Sequence, residues 1–148
     1  MSSESAAGYA GDVAAAEAYR RLSSERSSVL IDVRTQAEWG YVGVPDLSSL
    51  GKTPLFLEWQ SFPAMQVDPG FATRLTGLLE AAGVERDAPL LFLCRSGARS
   101  RHAAAAMTKA GWAQCLNIAD GFEGPLDPWS HRSVIGGWKA GDLPWTQT

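Results

Sequence analysis

A cysteine, two arginines and a glycine fall within seven residues in Cys94-Arg95-Ser96-Gly97-Ala98-Arg99-Ser100. The residues before Cys94 are uniformly apolar, which predicts a strand covered on both faces. Such a strand delivers Cys94 to the carboxyl edge of a sheet, where open α/β sheets bind their ligands. The chain then turns into a helix. The backbone amides of residues 95–100 are expected to converge into a concavity for an anion, and the helix N-terminus adds partial positive charge. Thiols in so electropositive a setting titrate at roughly 3.5–7.5 instead of about 8.5. The expectation is therefore a nucleophilic thiolate in an anion cradle. Arg95 and Arg99 are expected to steer an anionic substrate, each contributing up to roughly 4 kcal/mol at contact in a partly shielded site. Gly97 supplies the left-handed backbone angles of the turn. Four residues separate Cys94 from Arg99. One more would let the amides ring a phosphate, whereas the tighter loop suits a single sulfur atom carried on the cysteine.

Other side chains are weighed against this site. Asp32 and Arg34 end a second apolar run. They are read as pairing with each other or as orienting the loop from behind, without touching sulfur. Cys115, in a short apolar segment, reads as a small buried hydrophobe. His102, one helical turn beyond the loop, reads as solvent-facing or satisfied in preference to tuning the site, and His131 carries no assignment. Trp129, Trp138 and Trp145 are read as covering an open face of the core in preference to lidding the site.

These groups need a scaffold. Asp12 is read as the N-cap of a helix with Ala15, Ala18, Tyr19 and Leu22 on one face. Residues 29–33 form a buried strand, 35–39 one helical turn, 40–54 a Gly/Pro/Ser-rich loop and 55–59 another strand. Asp68 and Pro69 start a helix with Phe71, Leu75, Leu78, Leu79 and Ala82 inward, which Gly83 ends. Beyond the strand 90–93, a helix runs over about 99–110 with Ala103, Ala106, Met107 and Ala110 inward, and 115–118 is the last strand. Strands that alternate with helices and lack polar alternation predict an α/β domain with a mostly parallel sheet. Residues 1–8 read as a flexible tail and 9–124 as the domain. Residues 125–148, with three of the six tryptophans, read as an arm packed on it.

Composition narrows the function classes. A 148-residue chain that is 45% hydrophobic and 20% charged is ordinary for a globular domain, which excludes wholesale disorder, collagen and coiled coil. About 68% of its unfolded surface is buried on folding, so the core needs no metal or disulfide. A formal charge of −3 provides no footprint for nucleic acid or anionic lipid. The apolar runs fall far short of the roughly 20 residues that span a bilayer, and the N-terminus does not resemble a secretory signal. With two cysteines only, a cytoplasmic protein with free thiols is expected.

The loop from Cys94 to Ser100 is similar to the C-R-x-G-x-R-S active-site loop of the single-domain rhodaneses, a sulfurtransferase family. Leu30-Ile31-Asp32-Val33-Arg34 with Glu38-Trp39 resembles that family's D-V-R-x-x-x-E-(F/Y/W) segment. Lys109-Ala110-Gly111-Trp112 followed by Asp120-Gly121-Phe122 resembles its helix and turn beyond the active site. The resemblance covers roughly residues 10 to 124. It implies a rhodanese-like α/β fold, a central parallel five-stranded sheet flanked by helices on both faces. It also implies a persulfide on Cys94 between two half-reactions, with no cofactor beyond that transient persulfide and no metal. The partners implied are a small anionic sulfur donor such as thiosulfate, and cyanide, a small thiol or a protein thiol as acceptor. Neither nucleic acid nor membrane is expected. Arg95, Ser96, Gly97, Ala98, Arg99 and Ser100 would hold the persulfide and its donor. Residues 40–47 read Gly-Tyr-Val-Gly-Val-Pro-Asp-Leu where the family shows G-H-I-P-G-A, which bears on the pocket wall and acceptor choice. Two alternatives stand beside this reading. A non-catalytic persulfide carrier or interaction domain would go with a degraded loop, and this loop is intact. A phosphatase or arsenate reductase would need the longer loop.

Overall fold

Parallel strands need a crossover between them, and here helices supply it. The computed structural model describes residues 8–61 and 64–147, so the expected flexible tail lies outside the described residues except for Gly8. In chain order the elements are β1 (Gly11–Val13), α1 (Ala15–Ser24), β2 (Val29–Asp32), α2 (Gln36–Val42), β3 (Val44–Pro45) and a 3₁₀ turn (Ser48–Leu50). There follow β4 (Leu55–Phe56), β5 (Gln60–Ser61), β6 (Gln66–Val67), α3 (Phe71–Ala81), β7 (Pro89–Leu93), α4 (Ala98–Lys109), β8 (Gln114–Ile118) and β9 (Trp145–Thr146). The central sheet has the order β1-β8-β7-β2-β4, and every neighbouring pair is parallel.

The middle strand, β7, shows why the sheet is covered on both sides. Its residues alternate between two hydrophobic layers, as the two-residue period of a strand demands. Leu90, Phe92 and Cys94 join Phe71, Leu75 and Leu79 of α3 and Ala103, Ala104 and Met107 of α4. Leu91 and Leu93 join Ala15, Ala18 and Leu22 of α1, together with Phe122 and Trp138. The chain leaves β2 toward β4 on one side and β7 toward β8 on the other. The crevice between β2 and β7 is thus the switch point at which such sheets open a binding site.

Several local expectations are corrected. Asp12 does not cap α1. It lies in β1, opposite Asn117 of β8, and the cap residue is Ala14. The carboxylate of Asp120 accepts the Ala15 amide at 2.8 Å instead, so a group from the far end of the chain replaces the local cap. The stretch read as loop over 40–54 holds the end of α2, then β3 and the 3₁₀ turn. The strand expected over 55–59 is regular only at Leu55 and Phe56, although the Leu57 and Trp59 amides still bond to the carbonyls of Asp32 and Val33. Asp68 captures the Gly70 amide at 2.9 Å, so α3 begins at Phe71 with Gly70 as its cap. Its buried stripe is Phe71, Leu75 and Leu79. Leu78 is 42% exposed and Ala82 faces solvent. On α4, Ala104 is buried where Ala110 was expected.

The arm behaves unevenly. Trp138 is fully buried, meets Tyr19 edge-on with centroids 5.7 Å apart, and donates its indole N–H to the Pro144 carbonyl at 2.6 Å. Trp145 stands edge-on to Phe122 in β9, which pairs antiparallel with β3. Trp129 is 77% exposed and covers nothing. Among the described residues no helix is long and apolar enough to cross a membrane.

Candidate active site

Cys94 follows the last residue of β7, and α4 starts four residues later at Ala98. The turn is possible because Gly97 has φ 105°, and a Cβ there would collide with the Ala119 carbonyl oxygen. Gly121, with φ 66°, is pressed in the same way against the Arg95 carbonyl. The segment behind the loop staples it in place. The Phe122 amide donates to the Cys94 carbonyl at 2.8 Å, and the Glu123 and Gly124 amides donate to the Arg95 carbonyl at 3.0 and 3.2 Å.

Two donors face the sulfur. The Gly97 N–H lies 3.1 Å from Cys94 Sγ, and the Ser100 hydroxyl lies 3.2 Å from it. Ser100 Oγ is also 2.5 Å from Asn117 Oδ1. Asn117 Nδ2 donates to Asp12 Oδ1 at 3.0 Å, which fixes the amide so that its oxygen faces Ser100. The Tyr9 hydroxyl donates to the same Asp12 oxygen at 2.8 Å. A serine has one hydroxyl hydrogen, so Ser100 serves the sulfur or Asn117, one at a time. Sulfur, hydroxyl, amide and carboxylate form one chain running from the loop to the sheet edge.

Arg99 lines the cleft in the loop, as expected, and its guanidinium grips Glu38 with two hydrogen bonds, at 2.7 and 2.9 Å. Glu38 also closes a capping box on α2, accepting the Thr35 amide at 3.1 Å while its own amide donates to the Thr35 hydroxyl at 3.3 Å. Burial alone would raise the Glu38 carboxyl, but the Arg99 guanidinium and the Thr35 donors overcome it and hold the group at about 2. Burial likewise works against the charge of Arg99, and Glu38 outweighs it, raising the guanidinium above its ordinary value.

Asp32 and Arg34 are fully buried and pair with each other. Arg34 Nη2 meets Asp32 Oδ2 at 2.7 Å and the Gly43 carbonyl at 2.8 Å, and the guanidinium lies 4.2 Å from the centre of the Phe122 ring. The pair packs on Phe122, whose amide holds the Cys94 carbonyl, and the Asp32 charge also acts on Arg99 of the loop. Cys115 is buried beneath α4 and Trp112, and burial pushes its thiol up to about 11. His102 and His131 face solvent.

Cys94, itself fully buried, lies at the lining of a cleft of about 660 Å³. Arg95, Ser96, Ala98 and Arg99 of the loop line it, with Thr35, Glu38 and Val42 around α2, Gln60 and Met65, and Glu123 and Arg132. Asn117 was legible in principle, as a polar residue within an otherwise apolar strand. Arg132 was not, because the arm carries no periodic pattern. Among the described residues no cluster of His, Cys, Asp or Glu is arranged to hold a metal ion.

Comparison with known proteins places this geometry in a family. The model of the STR4 middle domain matches residues 10–148, arm included. The uncharacterized RP600 homolog of Rickettsia rickettsii is 37% identical over 134 residues, which is 90% of this chain and 95% of that protein. Rhodanese-like domain-containing protein 4, chloroplastic, from Arabidopsis thaliana is 27% identical over 93% of this chain and 26% of its own length. Among solved structures, Rv0390 from M. tuberculosis superposes with a TM-score of 0.81 at 44% identity, covering 95% of this chain and 99% of that one. The polysulfide-sulfur transferase homodimer from Wolinella succinogenes shares the fold, with a TM-score of 0.56 and 21% identity over 93% and 78% of the two chains. The family match takes in the strand ending at Asp32, the Cys94 loop and the arm alike, and the chain belongs to the STR4 middle-domain family, a rhodanese-like family.

Proposed function

We propose that the protein is a sulfurtransferase that carries a sulfane sulfur on Cys94. The observation that carries this reading is the placement of Cys94 Sγ at the end of the central strand, facing the Gly97 N–H and the Ser100 hydroxyl. The Gly97 N–H favours negative charge on sulfur, the Ser100 hydroxyl does so when its one hydrogen turns from Asn117 to Sγ, and the first turn of α4 adds its dipole. The Cys94 thiolate attacks the outer sulfur of a donor such as thiosulfate. A bond forms between Sγ and that sulfur, the bond to the sulfonate sulfur breaks with its electron pair, and sulfite leaves. The product is a Cys94 persulfide anion. Cyanide or a thiolate then attacks the outer sulfur and returns Cys94 to the thiolate, leaving as thiocyanate or as a new persulfide. The nucleophile is its own anion in both steps, so no general base is needed. The cleft is roomier than thiosulfate or cyanide requires, which favours a thiol acceptor, either a small molecule or a cysteine on another protein.

Intact-mass measurement after incubation with thiosulfate tests the proposal. One added sulfur atom is expected, removed by cyanide with release of thiocyanate and absent in Cys94→Ser. Wild-type protein that gains no sulfur, or a Cys94→Ser variant that gains it equally, defeats the proposal.

A further inference from the structure

Three arginines reach the Cys94 cleft, and they are not equivalent. Arg99 is neutralised by Glu38. The exposed Arg95 side chain makes no hydrogen bond or ion pair among the described residues. Arg132 comes from the arm. Its Nη1 donates to the Gly124 carbonyl at 2.8 Å, which leaves Nε and Nη2 available, and no carboxylate pairs with it among the described residues.

The arm is folded to put Arg132 there. Asp127 Oδ1 accepts the Trp129 and His131 amides at 2.9 and 2.8 Å. The Asp127 amide donates to the His131 carbonyl at 2.8 Å, closing the turn. Directly after Arg132, the Ser133 amide donates to the Glu123 carbonyl at 2.6 Å. Ser130 and Ser133, on either side of Arg132, hold φ of 64° and 65°, a region that non-glycine residues enter at a cost. Gly124 bridges to the loop, since its carbonyl holds Arg132 while its amide holds the Arg95 carbonyl. Glu123 lines the same cleft. With Glu38 and Arg99 cancelling, Arg95 and Arg132 balance Glu123 and the Cys94 thiolate, so the cleft carries no net negative charge to turn an anion away.

We infer that Arg132 is a substrate-binding residue that takes the anionic end of the sulfur donor, together with Arg95, while Arg99 is held by Glu38. This inference rests on the sulfurtransferase reading above. A sulfonate group presents several oxygens, and a guanidinium with free N–H groups meets them as a fork, which an ammonium cannot do. The donor class is therefore a small oxyanion carrying sulfane sulfur. The sulfur to be transferred points at Cys94 and the charged end lies toward the arm.

The test is the single-turnover rate of sulfur loading against thiosulfate concentration, followed by discharge with a neutral thiol such as 2-mercaptoethanol. In Arg132→Gln the half-saturating thiosulfate concentration is expected to rise about tenfold to a hundredfold, the range for losing a charged hydrogen bond. The loading rate at saturation and the discharge rate are expected to stay at the wild-type level. Arg132→Lys falls between the two, because charge is kept and the fork is lost. Added salt weakens donor binding in the wild type more than in Arg132→Gln. Wild-type protein that takes no sulfur sinks the sulfurtransferase reading itself. Wild-type protein that loads, beside an Arg132→Gln variant with the same concentration and salt dependence, overturns the role of Arg132 alone. Should Arg132→Gln melt below the assay temperature, Arg132→Lys decides, and an unchanged concentration dependence in it also overturns the inference.

Discussion

Replacing Glu38 with glutamine removes the charge from the bidentate contact with Arg99 and sets an amide NH2, a donor, where Oε2 accepted Arg99 Nη2. Glutamine still offers an oxygen to the Thr35 amide. Glu38 and Arg99 are 19% and 15% exposed, so the contact is mostly shielded. The fall of the Glu38 carboxyl from 4.5 to about 2 corresponds to about 3 kcal/mol of stability gained by the charged form on folding, and residual solvent screening brings this to about 2–3 kcal/mol. At roughly 4 °C per kcal/mol for a chain of this size, Glu38→Gln should melt about 8–12 °C below wild type at pH 7. The sign of the pH dependence follows from the depressed value. The stabilisation is fully present above the unfolded value of 4.5 and is lost as pH falls toward about 2. Melting curves of both proteins at steps between pH 7 and pH 2 should therefore converge in that window, while groups common to both titrate in parallel. A gap of the same size at pH 2.5 and pH 7, or no gap at neutral pH, would refute the view that a charged Glu38 braces α2 against the start of α4.

Two further substitutions probe the frame of the site. Gly97→Ala forces a side chain into the Ala119 carbonyl at φ 105°, so chemical denaturation should show a loss of at least about 2 kcal/mol; sulfur loading should fall further than stability does, because the Gly97 N–H is displaced from Sγ. Asp32→Asn leaves the buried Arg34 without its counter-charge, and denaturant unfolding should show about 3–5 kcal/mol lost; a loss under about 1 kcal/mol would mean that Phe122 and the Gly43 carbonyl alone suffice to hold Arg34.

What was legible in the sequence is what local chemistry determines. The apolar run ending at Leu93, the glycine that must bend at position 97 and the helix behind it each carry their own signal, and together they place Cys94 at a sheet edge. The fate of Arg99 depends on a partner 61 positions away. Both residues stand in the segments that resemble the rhodaneses, yet a linear pattern does not say that one neutralises the other. Asp12 misled for the same reason. Its local context is that of a cap, and pairing with a strand more than a hundred residues downstream overrides it. The three arm tryptophans have identical chemistry and different fates, because Trp138 finds Tyr19 and a carbonyl for its N–H, Trp145 finds Phe122 and Lys139, and Trp129 stays exposed. Arg132 is legible only once the turn anchored on Asp127 is seen to carry it back to the cleft.

The antiparallel pairing of β9 with β3 has a bearing on how quickly the protein can work. Lys139 adds to it, donating to the Val42 carbonyl at 3.1 Å and lying 3.9 Å from the centre of the Trp145 ring. The arm is buckled at its far end as well as at Gly124. If Arg132 takes the donor as proposed, a strap fastened at both ends has little freedom left to surrender when that ion arrives, and the guanidinium it carries is already parked. Capture of that ion then becomes a matter of collision frequency, with no slow remodelling of the wall to wait for.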